Sequence, residues 1–297
     1  MKSTALALPA LFVTIIGIIT GCSRDGEEIA AERYIGPDGL FDQVYANVRA
    51  DPAAEVIVDI DHSRLAAEAG SPMPPSHVLI WSESEVEAAI LAENRMAAID
   101  LPLRVLAYEN QSNGTAAITY NNFNYLARRF DLANDSPART LYDAAFARAL
   151  TGIAASAVTD LPLDTMSQPG LITLISPYDF TETKQRMLDA VTAESDTVVF
   201  GELDFAARSK KWGVDLEPTE LILWGSPGPG GKAMASAPTL GLDAFCQKLL
   251  ILQDADGTAR VIFNDLTALA ERQQVSGGIP LRLINRRIQK TFTDALK

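Results

Sequence analysis

Residues 199 to 275 of this chain are a diverged copy of residues 56 to 132. Sliding the sequence by 143 positions places Asp204 on Asp61, Gly213 on Gly70, Pro218 on Pro75 and Trp224 on Trp81, without a gap and with 15 identities in 77 pairs. A period this long means two whole domains, not a solenoid of short units. Each unit, at about 120 residues, is large enough to bury a core of its own. The chain is thereby constrained to a pair of domains of one fold, and its function to whatever such a pair can carry.

Hydrophobic patterning inside the repeat sets the fold class. Pro37 to Arg49 carries Leu40, Val44 and Val48 at helical spacing. Val56 to Ile60, Val78 to Trp81, Leu101 to Ala107 and Thr115 to Tyr120 read as strands from their β-branched and apolar content. A tight turn at Ser112-Asn113-Gly114 joins the last two, and Ala255-Asp256-Gly257 answers it in the second copy. Phe123 to Phe130 reads as a short helix. Ser136-Pro137 caps and opens another with the stripe Leu141, Ala145, Ala149, Ile153, matched after Pro280 by Ile284, Ile288, Phe292, Leu296. Leu171 to Ile175 adds a strand that the first copy barely possesses. This order predicts an α+β fold of two tandem two-layer domains, each a mostly antiparallel sheet with helices on one face.

The expected boundaries are residues 33–155 and 170–297, with 156–169 as linker. That linker holds Val158, Leu161 and Leu163, so it is expected to lie on protein, with the repeats paired about a pseudo-two-fold axis and Trp81 and Trp224 near the seam.

The N-terminus has a separate logic. Lys2 precedes an apolar run from Ala5 to Ile19, too short for a comfortable membrane span, and Ile19-Thr20-Gly21-Cys22 follows. Residues 1–21 resemble a bacterial lipoprotein signal, the alternative being an uncleaved anchor. Cys22 is then the lipidated first residue and 22–32 a polar tether. Ser23 after the cysteine favours the outer membrane, facing the periplasm, in a Gram-negative cell. The net charge of −13, which becomes −14 once Lys2 is removed, argues against nucleic acid or anionic lipid as partners, since both need basic patches. With Cys22 committed, Cys246 has no disulfide partner in the chain; its alignment with Leu103 in a strand predicts a buried apolar role.

Two stretches could carry chemistry. Trp224 to Lys232, WGSPGPGGK, is the most distinctive: glycines and prolines after a strand expose backbone N–H groups, and Lys232 adds charge. Gly225, Ser226, Gly228, Gly230, Gly231 and Lys232 are therefore candidate ligands for a small anion, the alternative being a rigid connector. The segment is neither a phosphate loop nor a nucleophile elbow, because Ser226 and Ala233 stand where the first needs Gly and Ser/Thr, and Trp224 where the second needs Gly. Asp61-His62 is a candidate acid–base pair, although Asp204 is followed by Phe205, and both aspartates equally suit helix caps. His62 and His77 are the only histidines and no cysteine or paired carboxylate joins them at ligand spacing, so neither a metal nor a cofactor is expected. Asp100 and Asp243 read as turn residues before a buried strand.

Taken together, these residues resemble the domain of unknown function 302 in tandem. The second copy has Thr181, Thr183, Leu203-Asp204, Gly213, Pro218-Thr219, Trp224-Gly225-Ser226-Pro227, Gly231, Pro238, Leu242-Asp243 and Asp254-Ala255-Asp256-Gly257. The first has Ile60-Asp61-His62, Gly70, Pro75-Ser76, Asp100-Leu101-Pro102-Leu103 and Tyr120-Asn121. The first copy lacks the glycine-proline stretch, with Ser82-Glu83-Ser84-Glu85 in its place, and the second lacks the histidine. The resemblance implies a fold like that of the TATA-box-binding protein and a tendency to pair, but no activity. The expectation is a lipid-anchored envelope module that binds a ligand or partner without catalysis. The alternative is an enzyme with one composite site where the repeats meet, pooling Asp61 and His62 with the Gly225–Lys232 segment.

Overall fold

The computed structural model describes residues 28–163 and 170–297; the expected signal at 1–21, Cys22 and the end of the expected linker lie outside them. The first repeat runs α1 (Glu32–Ala50), β1 (Glu55–Asp61), α2 (His62–Glu68), β2 (Ser76–Ser82), α3 (Ser84–Glu93), a 3₁₀ turn (Arg95–Asp100), β3 (Leu103–Glu109), β4 (Ala116–Thr119), α4 (Phe123–Phe130) and α5 (Pro137–Ala149). The second runs β5 (Leu171–Ile175), α6 (Phe180–Thr192), β6 (Val198–Asp204), α7 (Phe205–Lys210), β7 (Thr219–Gly225), α8 (Pro227–Met234), a 3₁₀ turn (Pro238–Leu242), β8 (Gln247–Gln253), β9 (Ala259–Asn264), α9 (Leu266–Arg272) and α10 (Gly278–Ala295). Each repeat has one antiparallel sheet, in the orders β1-β2-β3-β4 and β5-β9-β8-β7-β6. The α+β reading holds, and even the register irregularity recurs, between Val56 and Val58 and between Val199 and Gly201.

The first helix starts at Glu32, a turn and a half before Pro37. Long-range contacts hold the extra turn: Arg33 forks onto Glu109 at 2.8 and 2.6 Å, and the Arg64 guanidinium lies 4.5 Å from the Tyr34 ring centre. Among the described residues the first sheet has no counterpart of β5. Its open edge is instead covered by the chain leaving α5: Thr159 N–H donates to the Ile118 carbonyl at 2.8 Å, and Thr119 Oγ1 donates back to the Thr159 carbonyl.

Central strands are apolar on both faces because each sheet lies between two neighbours. In β7, Leu221 and Leu223 join a core shared with the first repeat, while Ile222 and Trp224 join the core under α6 and α10. In β8, Leu250 and Leu252 face the first way, Leu249 and Ile251 the second. Contacts between the repeats come in exchanged pairs. α2 packs on α8 and α3 on α7, while β2 and β3 meet the Pro238–Leu242 turn and β7 and β8 meet the Arg95–Asp100 turn. Under the 143-residue offset α2 corresponds to α7 and α3 to α8, so this is the reciprocal pattern of an isologous interface.

The tryptophans do not meet at that seam. Trp81 packs edge-on to Phe146 of α5, and Trp224 edge-on to Phe292 of α10. They sit on the outer face of their sheets because strand alternation gives the inner face to residues 80, 82, 223 and 225.

Candidate functional site

Asp100 and Asp243 do more than end a turn. Asp100 accepts from Arg104 Nη2 at 2.9 Å and from Arg129 Nη1 at 2.7 Å; Asp243 accepts from Arg104 Nη2 at 2.7 Å and Arg272 Nη1 at 3.0 Å. Asn121 donates to Asp243 at 2.9 Å, and Arg129 donates to Asn264 at 2.6 Å. The Arg272 guanidinium lies 3.6 Å from the Tyr125 ring centre. Three pairs in this set, Asp100/Asp243, Asn121/Asn264 and Arg129/Arg272, are separated by the same 143 residues. The seam is thus built around a duplicated, buried ionic cluster, and Arg104 and Lys248 also hold equivalent places in it, Arg104 opposite Ile80 and Lys248 opposite Leu223. Burial alone would raise the Asp243 carboxyl, but Arg104, Arg272 and Lys248 outweigh it and hold Asp243 ionised far below the ordinary carboxylate range. Burial and Arg104 bring Lys248 down to about 8; its Nζ donates to the carbonyls of Asp243 and Cys246. Cys246 is buried in the shared core as expected, although the strand register sets Gln247, not Cys246, opposite Trp224 where Leu103 stands opposite Trp81.

The candidate acid–base pair is split. Asp61 caps α2, accepting from Arg64 N–H at 2.9 Å and Ser63 Oγ at 2.6 Å, as Asp204 caps α7 by accepting from Ala207 N–H at 2.9 Å. Burial would raise the Asp61 carboxyl, yet those hydrogen bonds lower it. His62 turns the other way, into the second repeat, with Nε2 3.0 Å from the Gly241 carbonyl. Burial drives its pKa down to about 4, so the ring is neutral at pH 7. It shares a water-sized cavity of about 10 Å³ with Ser226, Pro227 and Gly230. Lys232 is exposed and lies on a separate open groove beside Glu68 and Asp196.

The glycine-proline stretch is not a loop presenting N–H groups. It is the helix α8, with Pro227 in its first turn and Gly230 N–H bonded to the Ser226 carbonyl at 2.8 Å. Its glycines are for contact. A Cβ at Gly231 would lie 2.5 Å from both Ala66 Cβ and the Ser71 carbonyl, and one at Gly230 would lie 3.0 Å from the Phe245 ring. The missing side chains let α8 press against α2 across the seam. Gly225 is likewise covered by Phe200 and the Phe245 carbonyl.

Two features were not visible in the sequence. Asp38, Asp61 and His77 bring their donor atoms within 4.8 Å of one another. The guanidinium of Arg64 already pairs with both carboxylates there, at 2.7 Å to Asp38 and closer to Asp61, so the charge a cation would neutralise is compensated. The second is a cavity of about 30 Å³ in the second repeat, between α6, α10 and the sheet, lined by Trp224, Gln247, Ser226, Ile284, Arg287 and Phe292 among others. Trp224 Nε1 and Gln247 Nε2 are buried here with no hydrogen-bond partner among the described residues. Trp224 was singled out by its pairing with Trp81; that its N–H is left over depends on what surrounds it.

Comparison with known proteins agrees with the duplicated architecture. About 34% identity over 115 residues relates the chain to the fluoride-specific ion channel FluC 1 of Brucella suis and of Brucella abortus, covering 38% of this chain and 44% and 42% of those proteins. The chain thus spans less than half the length of these curated relatives. Among solved structures it is similar to an uncharacterized conserved DUF302 protein from Bacillus stearothermophilus, at 17% identity and a TM-score of 0.36, covering 43% of this chain and 95% of that one. The profile of the domain of unknown function DUF302 matches residues 38–153 and again residues 172–293. With most of its length in those two matches, the chain belongs to the DUF302 family and carries the domain twice.

Proposed function

We propose that the protein is a lipid-anchored binding module of the bacterial envelope, whose ligand enters the cavity of the second repeat beneath Trp224. One observation carries this reading: Trp224 and Gln247, each with a buried N–H donor that has no acceptor among the described residues, both line one cavity of mostly apolar surface. A buried donor left unpaired costs about 1–3 kcal/mol, so a site with two of them is poised for a ligand that supplies acceptors. An apolar cavity with a few convergent polar groups is what small-molecule sites look like. The buried ionic cluster keeps the repeats together as the scaffold behind it. The relatives named as fluoride channels match over less than half their length, and no channel activity is carried over from them.

The address rests on the sequence of residues 1–22. Cys22→Ala is expected to move the protein from the detergent phase to the aqueous phase on partitioning; a mutant that stays with detergent refutes the lipid anchor. For the binding reading, native mass spectrometry of the protein extracted from its own envelope should show a small adduct lost on unfolding. Wild-type protein without any adduct, together with a small-metabolite screen in which no compound raises its Tm more than that of Trp224→Phe, overturns it.

A further inference from the structure

We infer that the ligand of this cavity is a small monocarboxylate bearing a short apolar group; the inference rests on the reading that the cavity is a binding site. The first repeat shows what belongs beside the indole. Trp81 Nε1 donates to Glu83 Oε1 at 3.4 Å, and the other oxygen of Glu83 pairs with Arg148 Nη2. Under the 143-residue offset Glu83 becomes Ser226 and Arg148 becomes Thr291, and both replacements line the cavity. Neither restores the bond: Ser226 Oγ donates to Asp196 at 3.1 Å, and Thr291 Oγ1 to Glu194 at 3.4 Å. The second repeat has lost a carboxylate and its cation together, kept the indole donor, and holds a cavity where the longer side chains would lie.

A cation remains within reach. Arg287 stands one helical turn before Thr291 on the same face of α10 and lines the same cavity. Its Nη2 lies 2.6 Å from Asp196 and 2.7 Å from Glu194, so it is held at the mouth and its charge is shared. A ligand carboxylate set where the Glu83 carboxylate lies in the first repeat would accept from Trp224 Nε1 and Gln247 Nε2 and approach Arg287. Its apolar end would meet Val191, Ile284, Ile288 and Phe292. The space is partly open, and its inner part of about 30 Å³ takes only a small group, which favours a ligand with a short chain.

The test is an NMR titration of the full soluble chain, following the indole cross-peaks of its three tryptophans with sodium butyrate, butyramide and sodium fluoride as probes. Butyrate should shift the Trp224 indole signal saturably. Butyramide should bind about tenfold more weakly, because a hydrogen bond to a charged acceptor is worth about 1.4 kcal/mol more than one to a neutral acceptor. Ser226→Glu, which puts the built-in carboxylate back, should move the Trp224 signal by itself and abolish the butyrate response. Equal binding of butyramide, an equal response to fluoride, or undiminished butyrate binding by Ser226→Glu would each overturn the carboxylate assignment while leaving the cavity a binding site. No response of Trp224 to any probe overturns the assignment and counts against the site itself.

Discussion

Asp243 of the second repeat accepts a 2.7 Å hydrogen bond from Arg104 of the first, and neither side chain is more than 2% exposed. Charges this deep are tolerable only when each is matched, since the desolvation of an unpaired ion exceeds what one hydrogen bond returns. Asp243→Asn removes the carboxylate that Arg104 and Arg272 share and leaves Asp100 to serve both Arg104 and Arg129. The expected loss is about 3–5 kcal/mol by urea unfolding, the range for breaking a buried pair from one side. A loss under about 1 kcal/mol would mean that the cluster does not hold the seam.

The crossing of α2 and α8 makes a prediction with an internal control. Gly231→Ala forces a methyl group onto the Ala66 methyl and the Ser71 carbonyl, each 2.5 Å away. Backbone cannot swing aside, so the cost is expected at about 1–3 kcal/mol, as for overpacked cores. Gly228→Ala, whose Cβ would meet Ala69 at 3.4 Å, has room to adjust and should be close to neutral. Equal Tm values for the two variants would show that the repeats do not pack at this crossing in solution.

Glu87 of α3 predicts a pH dependence of stability. It is fully buried with both carboxylate oxygens lacking a hydrogen bond, and Arg208 Nε of α7 stands 3.5 Å away with Glu55 and Ser82 nearby. Burial raises its pKa from 4.5 to about 7, against the pull of Ser82 and Arg208. Between those values the folded state binds more protons than the unfolded state, so this group's contribution falls as pH rises from about 4.5 to about 7. His62 acts oppositely: its pKa, lowered to about 4, gives stability that is lost as pH falls from about 6.5. The difference between wild type and Glu87→Gln isolates the first effect. The variant should gain on wild type across that window by up to about 3 kcal/mol at the upper end. Parallel stability curves for the two proteins from pH 4.5 to 7.5 would show that Glu87 stays ionised in the folded state.

Local properties of the chain determined the two-copy α+β architecture, the short helix at Phe123–Phe130 and the strand at Leu171–Ile175. Hydrophobic period, turn residues and β-branching act between near neighbours, and a 143-residue register repeats them. The capping roles of Asp61 and Asp204 needed only the three residues ahead of each. The tertiary structure decided the rest. Arg129 and Arg272 stand 29 residues from Asp100 and Asp243, and nothing along the chain says that these charges meet in one buried cluster. WGSPGPGG reads locally as a loop or rigid connector; its second half, from Pro227, opens a helix because the packing against Ala66, Ser71 and Phe245 rewards the absence of side chains. The orphaned indole of Trp224 follows from Ser226, which stands where Glu83 serves Trp81 in the first repeat and bonds to Asp196 instead. Local sequence sets how each stretch of backbone folds, whereas which donors, charges and cavities are left over depends on residues brought together across the two repeats.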